Sequence, residues 1–215
     1  MRPIARIARL TVTLEGIRPL IWRQVEVPLG FSFADLSDVI LAAFGWSNSH
    51  LHEFEVGERR IGMPDPDGSA MPVVPTPRPD PLFDQLDPEL RAAFAPLPAL
   101  QDEATVSLAQ ALTDGPQGFA YRYDFGDDWT HTVEVSEITD SDPALVYPRC
   151  SAGARACPPE DCGGLPGYKH LLAVLADPSH EEHGKVRAWY PLLAPEKFEL
   201  VAADEAVRNS LSNGK

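Results

Sequence analysis

The chain is poor in cysteine, in basic residues and in long apolar runs. It has three cysteines in 215 residues, a small and odd number. A disulfide framework is therefore not expected, and a chain of this size buries roughly 70% of its unfolded surface without one. No apolar run approaches the roughly 20 residues of a membrane-spanning helix. The opening "MRPIARIARLTV" breaks its apolar residues with arginine, unlike a signal peptide. Both absences point to a cytoplasmic protein with no membrane partner. Lys and Arg number 18 against 32 Asp and Glu, a net charge of −14. Nonspecific nucleic-acid affinity comes from cations that neutralise phosphate, so a protein or small ligand suits this chain better than nucleic acid. Arg2, Arg6, Arg9, Arg18 and Arg23 still give the first 30 residues a local balance of +3, which leaves a restricted basic face open there. The patterns G-x-x-x-x-G-K-[ST], G-x-S-x-G and H-E-x-x-H are all missing.

What is present is period. Ala8, Leu10, Val12 and Leu14 alternate with polar residues, as do Ile21, Arg23, Val25 and Val27. These are two half-buried strands, and the short "EGIRP" between them predicts a hairpin. "FSFADLSDVILAAFGW" reads as a helix: Ser32 is the N-cap, Asp35 favours the positive end, Leu36, Val39, Ile40 and Ala43 recur at helical spacing, and Gly45 closes it. "HLHEFEVG" sets His50, His52, Phe54 and Val56 on one strand face. Phe119, Tyr121, Tyr123 and Phe125 form another face, followed by Trp129, His131, Val133 and Val135, with "GDD" as the turn of a second hairpin. Gly126 is expected there with φ > 0. Short helices are predicted in "TVSLAQALTDG", "YKHLLAVLADP", "SHEEHGKVRAWY" and "DEAVRNSL". Ten of the 22 prolines fall in residues 63–100, which read as a surface insertion with one short helix predicted at "DPELRAAF". Hairpins with helices at their ends predict an α+β fold on an antiparallel, strongly bent sheet with helices packed at its side.

Two constellations carry chemistry. In "CSAGARACPPEDC", six residues separate Cys150 from Cys157 and four separate Cys157 from Cys162, without a C-x-x-C knuckle. One reading is a zinc site, with His131 as fourth ligand. A second is a redox pair, which Pro158 and Pro159 and a reducing compartment both oppose. A third is a rigid clasp with thiols as small buried apolar groups, Pro-Pro as a stiff entry and Gly163-Gly164 as a sharp exit. On that third reading Glu160 and Asp161 sit at the rim of a cleft facing the second hairpin. In "YDFGDDWTH", Asp124, Asp127, Asp128 and His131 lie close together, with Arg122 nearby. Turn chemistry accounts for Gly126 and Asp127, and carboxylates with histidine also suit a divalent cation or acid–base work. Trp22 with Arg23, and Trp46 with His50 and His52, add aromatic and cationic groups. The candidate cleft is therefore Trp22, Arg23, Trp46, His50, His52, Asp124, Asp127, Trp129, His131, Glu160 and Asp161.

Taken in order, "PLIWRQVEVP", "LSDVILAAFGWSNSHLHEF", "YRYDFGDDWTHTVEV" and "YPRC…ACPPEDCGGLPGY" resemble the plasmid pRiA-type ORF-3-like family. The resemblance covers about residues 4–190. The insertion at 63–100 and the tail beyond Pro191 depart from the family's compact pattern. It implies one α+β domain spanning residues 1–215, of the kind seen in an uncharacterised archaeal member, and an association with plasmids and insertion elements. Some family members carry a resolvase label. Nothing here matches a serine recombinase or a basic helix-turn-helix, so that label is not carried over. The expectation is a binding or accessory protein whose aromatic-acidic cleft holds a peptide, protein or small ligand. The alternative is a metal-dependent hydrolase of phosphoesters using Asp124, Asp127, His131 and Glu160 or Asp161.

Overall fold

A computed structural model describes residues 5–64, 98–113 and 115–212. The predicted helix at "DPELRAAF" and nearly all of the Pro-rich insertion lie outside the described residues. The elements run β1 (Arg6–Leu14), β2 (Ile21–Pro28), α1 (Phe33–Phe44), β3 (His52–Val56), β4 (Arg59–Gly62), β5 (Leu100–Asp102), α2 (Leu108–Leu112), β6 (Gly118–Tyr123), β7 (Trp129–Asp140), β8 (Arg149–Ala154), α3 (Gly164–Ala176), α4 (His183–Trp189) and α5 (Leu200–Asn209). Among the described residues, eight strands form one sheet in the order β5-β4-β3-β6-β7-β1-β2-β8, and with five α-helices they make a single α+β domain.

Both predicted hairpins are present. β1 pairs with β2 from Ile7↔Pro28 to Leu14↔Ile21, and β6 pairs with β7 from Gly118↔Glu134 to Tyr123↔Trp129. The alternation in β1 has the expected consequence: Ala8, Leu10, Val12 and Leu14 are all fully buried. α1 lies on that face. Ser32 accepts from the Asp35 amide while Asp35 accepts from the Ser32 amide, a capping box. Gly45 ends the helix at φ 83°, where its N–H reaches the Leu41 carbonyl at 2.8 Å. Phe33, Leu36, Val39, Ile40 and Phe44 fill the core against the strands.

The sheet corrects the expected one in two ways. It is mixed, because β4 and β5 pair in parallel, and it is open rather than strongly bent, with β5 and β8 as its outermost strands among the described residues. Reading hairpins finds only neighbours in sequence. A parallel partner needs a crossover of a dozen or more residues, and the long stretch between Gly62 and Leu100 supplies that length. Leu100 therefore belongs to the sheet rather than to the insertion. Two of the N-terminal arginines are engaged within the fold: Arg9 pairs with Glu26 at 3.2 Å and Glu137 at 2.6 Å, and Arg23 is buried. No helix among the described residues is long and apolar enough to cross a membrane.

Candidate functional site

Three segments far apart in sequence meet at one end of the sheet: the loop after α1, the β6–β7 turn, and the Cys157–Gly164 loop. Trp46 is the pin. It is 7% exposed, stacks on Tyr123 at 5.1 Å between ring centres, and donates from Nε1 to the Pro158 carbonyl at 3.0 Å. Glu160 is then caught from two sides. The Tyr123 hydroxyl donates to it at 2.6 Å, and Ser47 donates from Oγ at 2.6 Å and from its amide at 3.1 Å. Burial alone would raise the pKa of this carboxyl, but the hydrogen bonds from Ser47 and Tyr123 outweigh it and hold it below the ordinary value. Burial, and then the same carboxylate, raise the Tyr123 phenol.

The β6–β7 turn is fixed against the clasp. Asp124 Oδ1 accepts from the Gly126 amide at 3.0 Å, and Asp127 Oδ2 accepts from the Gly163 amide at 3.2 Å. Gly164, at φ +62°, lies so close that a Cβ there would overlap the Asp127 carbonyl oxygen. The left-handed residues of the turn are Asp124 (φ 55°) and Asp128 (φ 57°), while Gly126 is outside that region. This overturns the expectation for Gly126. Asp tolerates that region better than most residues do, and here the Asp124 side chain bonds the turn amides, so the glycine is not needed for it. Arg122 pairs with Asp128.

The turn and clasp deliver two carboxylates to one histidine. His50 Nε2 lies 3.3 Å from Asp161 Oδ1 and 3.7 Å from Asp124 Oδ2. Among the described residues, these three form a group whose ligand atoms lie within 4.8 Å of one another. Asp124 is 8% exposed as a residue, whereas the Asp161 side chain is 79% exposed, so the cluster opens to solvent on one side.

Other candidates are placed elsewhere or serve the scaffold. His131 is fully buried, edge-on to Phe44 at 5.0 Å and Trp46 at 5.4 Å, with Nδ1 3.2 Å from the Tyr121 carbonyl. Burial pushes its pKa down to about 4, so it is a neutral core residue at pH 7. Trp129, 2% exposed, packs 6.0 Å from Trp46 in the same wall. His52 is buried in a 2.7 Å pair with Glu103 and does not join His50. Trp22 is half-buried and, by strand alternation, on the sheet face opposite Arg23. Arg23 is a staple between Phe44 and Phe198, donating to the carbonyls of Trp22, Ala43, Ala154 and Arg155.

Cys150, Cys157 and Cys162 are free thiols and, with His131, do not converge as a ligand group. Cys150 sits on β8 under α5, its amide donating to Asp204 at 3.0 Å, while Cys157 and Cys162 pack half-buried against the core. Burial pushes Cys150 and Cys162 up to about 11, and Cys157 well above the ordinary thiol value. Residue spacing offered no hint of Ser47 and Tyr123, the two groups that lock Glu160. The only usable signal was "SNS" after Trp46, a run of turn residues beside a predicted acidic loop.

A single α+β domain, with three loops closing on an aromatic-walled, acid-lined end of its sheet, is the class of protein that this geometry defines. The chain belongs to the plasmid pRiA4b ORF-3-like family, whose model matches residues 6–202. The match therefore continues through the clasp and into α5, past the point at Pro191 where the tail was expected to depart. The chain is similar to the uncharacterized protein y4hQ of Sinorhizobium fredii (strain NBRC 101917 / NGR234), with 34% identity over 187 residues, 86% of this chain and 81% of that protein. It is also similar to the crystal structure of MM3350, a protein of unknown function from Methanosarcina mazei Go1. The TM-score is 0.74 with 30% identity, covering 92% of this chain and 97% of that one.

Proposed function

We propose that the protein is a binding module, an accessory to the plasmid setting that its family's description names, and that it binds its ligand at the three-loop end of the sheet. The observation that carries this reading is the convergence of His50, Asp124 and Asp161 from three remote segments onto a space the size of one cation. One imidazole nitrogen and two carboxylates suit a first-row divalent ion such as manganese or zinc. The thiols contribute nothing to such a centre: they are protonated at neutral pH and do not converge with it.

Isothermal titration of chelator-treated protein with Mn²⁺ tests the reading. One equivalent is expected to bind, with affinity at least about tenfold weaker in Asp161→Asn. That variant is at an exposed side chain, so its melt should match the parent. Titration without saturation, or equal affinity in Asp161→Asn, removes the proposal. A hydrolase reading has one observation in its favour. The exposed side of Asp161 leaves room for a substrate oxygen on the same ion. His131 takes no part in it, being sealed among Phe44, Trp46 and Tyr121. Turnover of a simple phosphate ester that appears with Mn²⁺ and disappears in His50→Ala is the result it requires.

A further inference from the structure

A second cavity, of about 380 Å³, lies between the clasp and the end of α4. Its walls include Trp46, Pro159, Trp189, Tyr190 and Pro191, and the one charged side chain in its lining is Glu160. None of His50, Asp124 and Asp161 lines it. The cavity is therefore separate from the cation centre.

The charge is fixed and unpaired. The Glu160 carboxylate is held by the Tyr123 hydroxyl and by Ser47, neutral donors that orient it without neutralising it. Among the described residues, the carboxylates paired with Lys or Arg within 4.0 Å do not include Glu160. A buried or half-buried anion beside aromatic faces attracts a cation that also offers apolar surface. A bare metal ion would leave the indoles and prolines unused, and an anion would meet Glu160. Lys185, which does not line the cavity, sets its Nζ 4.6 Å from the centre of the Trp189 ring, so that indole is placed where a cation can meet its face. Trp189 is otherwise 65% exposed, an unusual position for so large an apolar group.

We infer that this cavity binds an organic cation of the alkylammonium type, with Trp189 and Tyr190 against the cationic head, the edge of the buried Trp46 as floor, and Glu160 as its counter-charge. The same chemistry is offered by a small quaternary ammonium compound and by a methylated lysine side chain.

The experiment titrates choline into the full chain in the presence of chelator, alongside 3,3-dimethylbutan-1-ol, its uncharged isostere. Choline is expected to saturate, and the isostere to bind at least about tenfold more weakly. Trp189→Ala and Glu160→Gln are each expected to weaken choline about three- to tenfold, the range of one cation–π or charge contact. Trp189→Ala removes an exposed side chain, so an unchanged melt is expected and its loss of binding reads on the site. Trimethyllysine, free and within a peptide, separates the two sources. A gain of more than about tenfold on the peptide assigns the cation to a protein, and equal affinity assigns it to a free small molecule. Equal binding of choline and its isostere, absence of saturation, or an unchanged affinity in Trp189→Ala overturns the inference.

Discussion

Replacing Gly164 with alanine should do far more damage than the same change at Gly126, although the clasp that holds one and the turn that holds the other are in contact. Gly164 has φ +62°, and the new Cβ would overlap the Asp127 carbonyl oxygen and come within 3.3 Å of Asp127 Cα. The left-handed conformation alone costs alanine about 1 kcal/mol. Moving a backbone carbonyl in a packed contact adds about 1–3 kcal/mol, as overpacking does elsewhere. The turn cannot retreat cheaply, because Asp127 Oδ2 also accepts from the Gly163 amide at 3.2 Å. The expected total is about 3 kcal/mol, a fall in Tm of about 6–12 °C for a domain of this size. At Gly126 the new Cβ meets only Asp124 Oδ1, at 3.2 Å, and the backbone is not left-handed. Gly126→Ala should stay within about 1 kcal/mol. Urea denaturation of both variants, with the midpoint and slope compared, gives the answer. Equal losses in the two would mean that the clasp is not seated on the turn as described. Because the seating also sets Asp161 against His50, Gly164→Ala should lose Mn²⁺ affinity as well, where Gly126→Ala keeps it.

Stability should fall between pH 6.5 and 4 through His131. Its pKa is lowered to about 4 by burial, so its contribution is complete above the unfolded value and is lost as pH falls, up to about 3 kcal/mol. His131→Asn should flatten that part of the curve, and an unchanged slope would assign the pH dependence to other groups. The thiols should react slowly at pH 7 in the native state and fully in urea, since burial keeps all three protonated. Rapid native labelling of any of them would contradict the packing described.

The parts of the fold that could be read in advance are those whose pattern is local. α1 was legible to the residue, because Ser32, Asp35 and Gly45 act within one turn of the helix they bound. β1, β2, β6 and β7 announced themselves by alternation. β8 did not: "RCSAGA" has no alternation, and it is a strand because β2 offers it an edge, from Trp22↔Ala154 to Glu26↔Arg149. β4 and β5 are too short to carry a period. α3 starts at Gly164, ahead of the expected Tyr168, because left-handed Gly163 (φ 87°) is its N-cap and no side chain signals that. His131 differs in the opposite way. It shares the face of Trp129 and Val133, both buried, so its place on β7 already pointed inward, and its nearness in sequence to the acids and the cysteine loop is what made it a ligand candidate.

The site itself was legible in its residues but not in its partition. Glu160 and Asp161 are neighbours with opposite exposure: one is bound by three donor groups, the other has a side chain 79% exposed. What separates them is backbone geometry. Pro158 is anchored by Trp46, so the chain reaches Glu160 with its direction already set, and the left-handed turn at Asp161 (φ 56°) sends the next carboxylate the other way, toward His50. A pair of acids in a flexible loop would repel and point independently into water. Held on this clasp, they become two separate charges, one facing an aromatic cavity and one completing a histidine-carboxylate cluster. The need to separate them explains why so short a segment combines two prolines, two glycines and a left-handed aspartate. It also predicts that lengthening the segment by one residue would merge the two sites' behaviour rather than abolish the fold.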